Sequence, residues 1–297
     1  MRKKQRFFNA LHKITFYLSA LCYNNPMNII KVTDFDIPEM QLYVGNKEVH
    51  LLRAFEPEPG IFIAESKNVI NIALDQGYLP ISAIALPKME NDSILSRLGE
   101  VPVFIGQDKA LEDFLGYKLT SGIVCAMRRK VATDYERVLS GASRIVVLED
   151  VENPINVGAI FRSAAALGMD GVLLSPACAD PLYRRALRVA VGNVFKVPWA
   201  FIGKSEATWQ KEGIDFLKSQ GFTTVAMALR SDNINIDDTR LKECDRLALI
   251  MGNEGNGLTQ ATIDACDYVA KIPMMNGVDS LNVAVASSIA FWELRHR

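Results

Sequence analysis

The sequence predicts an α/β protein of two units, the second built on a parallel sheet. Three observations predict it. In the second half, short continuous apolar runs such as Ile145-Val146-Val147-Leu148 alternate with longer helix-patterned segments, which is how parallel strands joined by crossover helices read. The first half carries a shorter series of strand-like and helix-like segments, and a polar stretch separates the two. The length of 297 residues also exceeds what one average domain takes up.

In chain order, a strand is expected at residues 60–65. Ser66 offers an N-cap to an amphipathic helix at 69–76, and Gly77 stops it. Strands follow at 81–86, between Pro80 and Pro87, at 101–105 and at 122–127, with a helix at 108–114. Arg128, Arg129 and Lys130 open the polar stretch that ends near Ala142, the expected linker. Beyond it come a strand at 145–148, a helix at 157–167 closed by Gly168, a strand at 171–174, and a basic helix at 182–191 carrying Arg184, Arg185 and Arg188. A strand at 194–198 and a helix at 206–219, ended by Gly221, lead to strands at 223–227 and 247–251. A helix at 259–266, a strand at 268–272 and a last helix at 281–294 follow. The units are therefore expected at 27–130 and 143–297, joined by 131–142.

Residues 1–26 enter neither unit. Arg2, Lys3, Lys4 and Arg6 precede a short apolar run from 14 to 22. That run is too short to span a bilayer. It has the form of a secretory signal only loosely, since Leu21, not a small residue, precedes Cys22. We expect a disordered or amphipathic extension, or a misassigned start with Met27 opening the globular sequence, and assign it no function.

Composition narrows the chemistry. The formal net charge of −1 argues against a wholly basic nucleic-acid binder and leaves room for a local basic patch. The five cysteines are odd in number and contain no C-x-x-C, so they read as buried thiols of a cytoplasmic protein, not as disulfides or a zinc site. The three histidines are His12, His50 and His296, none of them within 51–295 where the polar loops fall. Histidine acid–base chemistry and a histidine-ligated metal are accordingly not expected.

Three polar loops interrupt the apolar second half, each at the carboxyl end of an expected strand, where ligands of parallel sheets bind. Gly252-Asn253-Glu254-Gly255-Asn256-Gly257 reads as a nucleoside-binding loop or a tight turn. It is no phosphate loop, because no Lys-Ser/Thr follows. In Asn153-Pro154-Ile155-Asn156-Val157-Gly158, Asn156 is a candidate cap for the helix expected from 157. Arg162 then lies about two turns in, as a solvated arginine or a functional one, on a helix otherwise apolar at Phe161, Ala164, Ala165 and Ala166. In the third loop, 272–282, Asp279 or Ser280 is the expected cap of the last helix, with Asn282 in its first turn. That helix is apolar nearly all round and must be buried in a core or a subunit contact. Arg184, Arg185 and Arg188 share one helix, which faces phosphates or solvent.

Together the loops resemble the motifs of the SpoU (TrmH-type) branch of the SPOUT RNA methyltransferases. The motif Asn-Pro-x-Asn-x-Gly-x-x-x-Arg is matched by Asn153, Pro154, Asn156, Gly158 and Arg162. Gly-Asn-Glu-Gly-x-Gly-Leu is matched from Gly252 to Leu258, and Ile-Pro-Met with Ser-Leu-Asn-Val-Ala by Ile272, Pro273, Met274 and the run from Ser280 to Ala284. The resemblance covers about 143–294. The first unit is similar, more loosely, to a ribosomal-protein-L30e-like substrate-binding domain through Phe62-Ile63-Ala64-Glu65-Ser66.

The resemblance implies a SPOUT parallel sheet with a deep trefoil knot, preceded by the L30e-like domain. It implies methyl transfer from S-adenosylmethionine to a ribose 2′-hydroxyl of ribosomal or transfer RNA, without a metal or membrane, by a cytoplasmic homodimer. It places Gly252, Ile272, Met274 and Leu281 around the cofactor, with Leu229 beside the adenine. Arg162, Glu254 and Asn282 form the implied reaction centre, and Asn153, Asn156, Arg184 and Arg188 lie toward the RNA. An arginine is the poorer base of the two roles open to it, so Arg162 is read first as a clamp on a phosphate and a developing alkoxide. Two departures stand out: Val189-Ala190-Val191 occupies a segment where the family often has serine, and Asp279 replaces a frequent serine. A non-catalytic RNA-binding protein on the same fold is the alternative. A nucleotide-binding metabolic enzyme is a third reading, for which no phosphate loop is found.

Overall fold

The computed structural model describes residues 28–33, 35, 37, 40–44, 60–203, 205, 209–230 and 233–296. The expected extension at 1–26 lies outside the described residues, as do His12 and His50.

The chain divides into two compact units, the first comprising Met1–Val131 with Leu182–Arg184. Its mixed sheet holds β1 (Ile29–Lys31), β2 (Ile61–Glu65), β3 (Pro80–Ala85), β4 (Val103–Ile105) and β5 (Ile123–Arg128), in the order β1-β4-β3-β5-β2. β5 runs antiparallel to β2 and β3, and the other pairs are parallel. Helices α1 (Lys67–Asp75), α2 (Ser93–Arg97) and α3 (Asp108–Leu115) accompany them. Ser66 caps α1 as expected, its hydroxyl accepting from Val69 N at 3.4 Å. Met40, Ile61, Ile84, Phe104, Leu111 and Val124 are among the core residues. Tyr43 crosses that core with a satisfied hydroxyl, which donates to Ser82 O at 2.7 Å and accepts from Ala126 N at 3.1 Å.

The second unit comprises Ala132–Pro181 and Arg185–Arg297. Its seven strands are β6 (Arg144–Leu148), β7 (Gly171–Leu174), β8 (Trp199–Phe201), β9 (Thr223–Met227), β10 (Ile234–Asn235), β11 (Leu247–Met251) and β12 (Tyr268–Lys271). Every pairing is parallel, in the order β10-β12-β9-β11-β6-β7-β8. All residues of β6 and β11 are buried, which accounts for the unbroken apolar runs at 145–148 and 247–251. Helices α4 (Tyr135–Leu139), α7 (Ile214–Ser219) and α9 (Gln260–Ala265) share a core with Ile145, Val147, Ala248 and Ile250. The alternate strand residues face the other side, the side left to α5 (Pro154–Leu167) and α10 (Val283–Leu294), which pack along each other. The remaining short helices are α6 (Arg184–Ala190) and α8 (Thr239–Lys242).

Several elements depart from expectation. Residues 135–142 are no open linker: α4 forms there, and Val138, Leu139 and Ala142 are buried in the second unit's core. The strand expected at 194–198 is a 3₁₀ turn, Asn193–Phe195, entered through the left-handed Gly192, and the strand begins after Pro198. Of the helix expected at 206–219, residues 206–208 lie outside the described residues, and the rest is a π turn, Trp209–Gly213, leading into α7. α5 starts at Pro154, not 157, with Asn153 as its cap, because proline suits the first helical position, where no N–H is needed. α10 is capped by Asn282, not by Asp279 or Ser280.

Because β12, β9, β11 and β6 are neighbours and parallel, the loops leaving their carboxyl ends gather on one edge of the sheet. Those loops contain 272–282, 228–230, 252–258 and 149–153. The far end of α10 is tied down by the buried Arg144, whose guanidinium donates to Leu294 O at 3.0 Å, Asp245 O at 3.0 Å and Cys244 O at 2.8 Å.

Candidate active site

The glycine loop after β11 is a closed turn. Asn253 and Gly257 exchange backbone hydrogen bonds of 3.0 Å in both directions. The Asn253 side chain accepts from Gly255 N at 2.7 Å and Asn256 N at 3.1 Å. Gly252 must be glycine for this turn to close, since a Cβ there would lie 2.4 Å from the Gly257 carbonyl carbon. The turn presents Glu254 to the start of α5, where its Oε1 accepts from Asn156 Nδ2 at 2.7 Å and from Asn153 N at 3.4 Å.

Asn156 is the middle of a line. It is buried inside α5, and its Oδ1 accepts from Asn282 Nδ2 at 3.1 Å. Asn282 Oδ1 in turn accepts from Ala284 N at 2.9 Å as the cap of α10. The three loops are thus joined in the order Glu254, Asn156, Asn282. A carboxylate only accepts, so Glu254 sets the direction of both amides. One amide hydrogen of Asn282 is left uncommitted among the described residues.

Arg162 is not part of that line. It is exposed and has no hydrogen bond or ion pair among the described residues. It stands about 120° round the helix from Asn156. Two of the three residues expected at the reaction centre therefore meet through Asn156, and Arg162 faces outward.

Of the residues expected at the cofactor, Leu229, Ile272 and Met274 line one open cleft of about 370 Å³, together with Asn235, Lys271 and Asp279. Gly252 is buried at the root of its turn, and Leu281, 39% exposed, stands just before Asn282; neither lines this cleft. The cleft fits S-adenosylmethionine in kind. Its volume is that of a small-molecule site, its apolar walls suit an adenine, and Lys271 and Asp279 offer charges complementary to an amino-acid tail.

The residues expected toward RNA divide. Asn153 is spent on capping Ile155 N at 2.9 Å, and Asn156 has both ends of its amide engaged by protein. Arg184 lies 3.7 Å from the buried Glu65 carboxylate and stacks on Tyr117 at 4.0 Å. Arg188 is exposed. Sequence reasoning missed the supporting residues. Asn253 carried a signal, since asparagine before Gly-rich backbone favours such turns. Glu149, buried at the end of β6, carried none.

Burial pushes the Cys178 thiol up to about 11 and the Cys266 thiol up to about 12, so neither supplies a thiolate nucleophile. Among the described residues, no group of three His, Cys, Asp or Glu is placed to hold a metal ion, and no helix is long and apolar enough to cross a membrane.

The sequence model of the SpoU rRNA methylase family matches residues 143–292. The chain belongs to that family. It is 32% identical over 279 residues to an uncharacterized tRNA/rRNA methyltransferase of Mycobacterium bovis, covering 92% of this chain and 94% of the relative. An S-adenosylmethionine-bound rRNA methyltransferase from Sinorhizobium meliloti shares the fold, with a TM-score of 0.73 and 23% identity over 90% of this chain and 97% of that one. So does an RNA 2′-O ribose methyltransferase, with a TM-score of 0.68 and 21% identity over 90% and 97%. As a SpoU methylase the chain is an S-adenosylmethionine-dependent RNA methyltransferase.

Proposed function

We propose that this SpoU methylase transfers the methyl group to a ribose 2′-hydroxyl of ribosomal or transfer RNA, in the cytoplasm and as a homodimer. The observation that carries the reading is the Glu254–Asn156–Asn282 line, which joins all three loops, the last of which also lines the cleft through Ile272, Met274 and Asp279. Bound S-adenosylmethionine supplies a methyl on a sulfonium, a leaving group that needs no metal or further activation. What remains for the protein is to hold the ribose oxygen in line and favour its loss of a proton. Asn282 has one amide hydrogen to give that oxygen, in a direction that Glu254 fixes through Asn156. The guanidinium of Arg162 is the group to hold a neighbouring phosphate and the developing alkoxide.

The outward position of Arg162 supports the homodimer. Val285, Ile289 and Trp292 are exposed on α10 by 48%, 37% and 58%, and Ile155 on α5 by 46%. Their spacing along α10 makes one apolar stripe. A second copy on this stripe covers it and takes Arg162 to the partner's site. The return of the chain from β12 to α10, which packs on α5, is a path compatible with the trefoil knot, which we include in the proposal. The test is a map of 2′-O-methyl riboses in total RNA with and without the gene. One site or a small set is expected to vanish on deletion and to return with wild-type protein but not with Arg162→Ala. An unchanged map on deletion would refute the assignment.

A further inference from the structure

Two residues at the end of β6 hold the glycine loop at both of its ends. Glu149 is buried, 1% exposed. Its Oε1 accepts from Thr259 N at 2.7 Å, where the chain leaves the loop. Its Oε2 accepts from Trp209 Nε1 at 2.7 Å and from the hydroxyl of Thr262. Asp150, next in sequence, holds the entrance: its carbonyl accepts from Asn253 Nδ2 at 2.7 Å. To aim that carbonyl, Asp150 takes a φ of +56°, a left-handed conformation that costs a non-glycine residue energy. Ser175 supports it, donating to Asp150 Oδ1 at 2.6 Å and accepting from Asp150 N at 2.9 Å. Glu149 N also donates to Met251 O at 2.8 Å, so the clamp begins where β6 and β11 end side by side.

We propose that Glu149 and Asp150 are positioning residues for methyl transfer: they clamp residues 252–258 so that Glu254 meets Asn156 and thereby orients Asn282. Neither touches the line itself. The inference rests on the function proposed above, but its first readout does not. Strain at Asp150 and a buried carboxylate satisfied only by loop and helix donors are features that position a site. The whole 252–258 turn hangs from them, and a displaced turn leaves Asn156 free to flip its amide and Asn282 without a fixed donor direction.

Glu149→Gln tests this without changing shape. Its amide nitrogen must face either the Thr259 N–H or the indole N–H of Trp209, donor against donor. Trp209→Phe removes the second conflict, since the Thr262 hydroxyl turns to accept. Amide hydrogen exchange over 252–258 is expected to quicken about tenfold in Glu149→Gln, and methyl transfer from labelled S-adenosylmethionine to bulk unmodified RNA to slow by about tenfold or more. Both should return in Glu149→Gln/Trp209→Phe to within about threefold of Trp209→Phe alone. Thr259→Pro provides a second route. Thr259 has a φ of −66°, the value proline takes, so proline deletes the N–H without bending the chain, and Thr259→Ala controls for the lost hydroxyl. Thr259→Pro should exceed Thr259→Ala in both effects, including where Glu149→Gln does not fold. Exchange over 252–258 unchanged in both Glu149→Gln and Thr259→Pro would overturn the clamp. So would faster exchange with full turnover, which leaves the pair a purely structural role. Absence of transfer by the wild type would instead refute the proposed function and leave the clamp to be judged on exchange.

Discussion

A Cβ added at Gly158 would lie 2.4 Å from the Ala186 carbonyl oxygen. Backbone, not a movable side chain, stands in the way, so α5 and α6 approach this closely only over a glycine. Gly158→Ala is therefore expected to destabilise the protein by about 1–3 kcal/mol, read as a lower denaturant midpoint; an unchanged midpoint would show that α6 yields without cost. Gly158 lies half a turn beyond Asn156, and its contact helps hold Asn156 between Glu254 and Asn282. Both residues were visible as motif positions, but their work was not. Asn156 read as a cap because caps are what exposed asparagines do. Asn153 and Pro154 already formed a complete helix start, and that left Asn156 three residues past the cap, too deep to cap anything.

α10 is fastened at both ends, by the Asn282 cap and by Arg144 on the Leu294 carbonyl. Between those points it keeps Ala290 and Phe291 buried and Val285, Ile289 and Trp292 exposed. A helix apolar nearly all round was expected to sit in a core or at a subunit contact, and it does the first with one face. The second face carries the dimer proposal. Ile289→Glu puts a charge into that stripe and touches no line residue. It is expected to give a monomer by light scattering and to lose most turnover with its melting temperature nearly kept. A fully active monomer would contradict the composite site. Elements whose type follows from periodicity were legible, as with β6, β11 and α1. β1 and β10 were not, because three and two residues carry no period, and their pairing is settled by neighbouring strands. The helix at 135–139 was hidden by its polar residues, since only Val138 and Leu139 of it are buried.

At the scale of the whole molecule, one property does most to make a site: the second unit's sheet is entirely parallel. Four adjacent strands must then release their loops on one edge, so residues far apart in sequence, Asn156, Glu254 and Asn282, come within hydrogen-bond reach. That much followed from the strand–helix alternation. The order of the strands did not, since periodicity carries no information on which strand pairs with which. Nor did the split between residues that face inward along the line and Arg162, which faces out; only packing decides that. The central claim is that this edge methylates a ribose hydroxyl. It is tested most directly by incubating the purified protein with methyl-labelled S-adenosylmethionine and RNA from cells lacking the gene, then digesting the RNA with alkali. A 2′-O-methyl group blocks cleavage at its own nucleotide, so the account predicts label in alkali-stable dinucleotides, and none with Arg162→Ala. Label recovered in mononucleotides, as a methylated base, would contradict it.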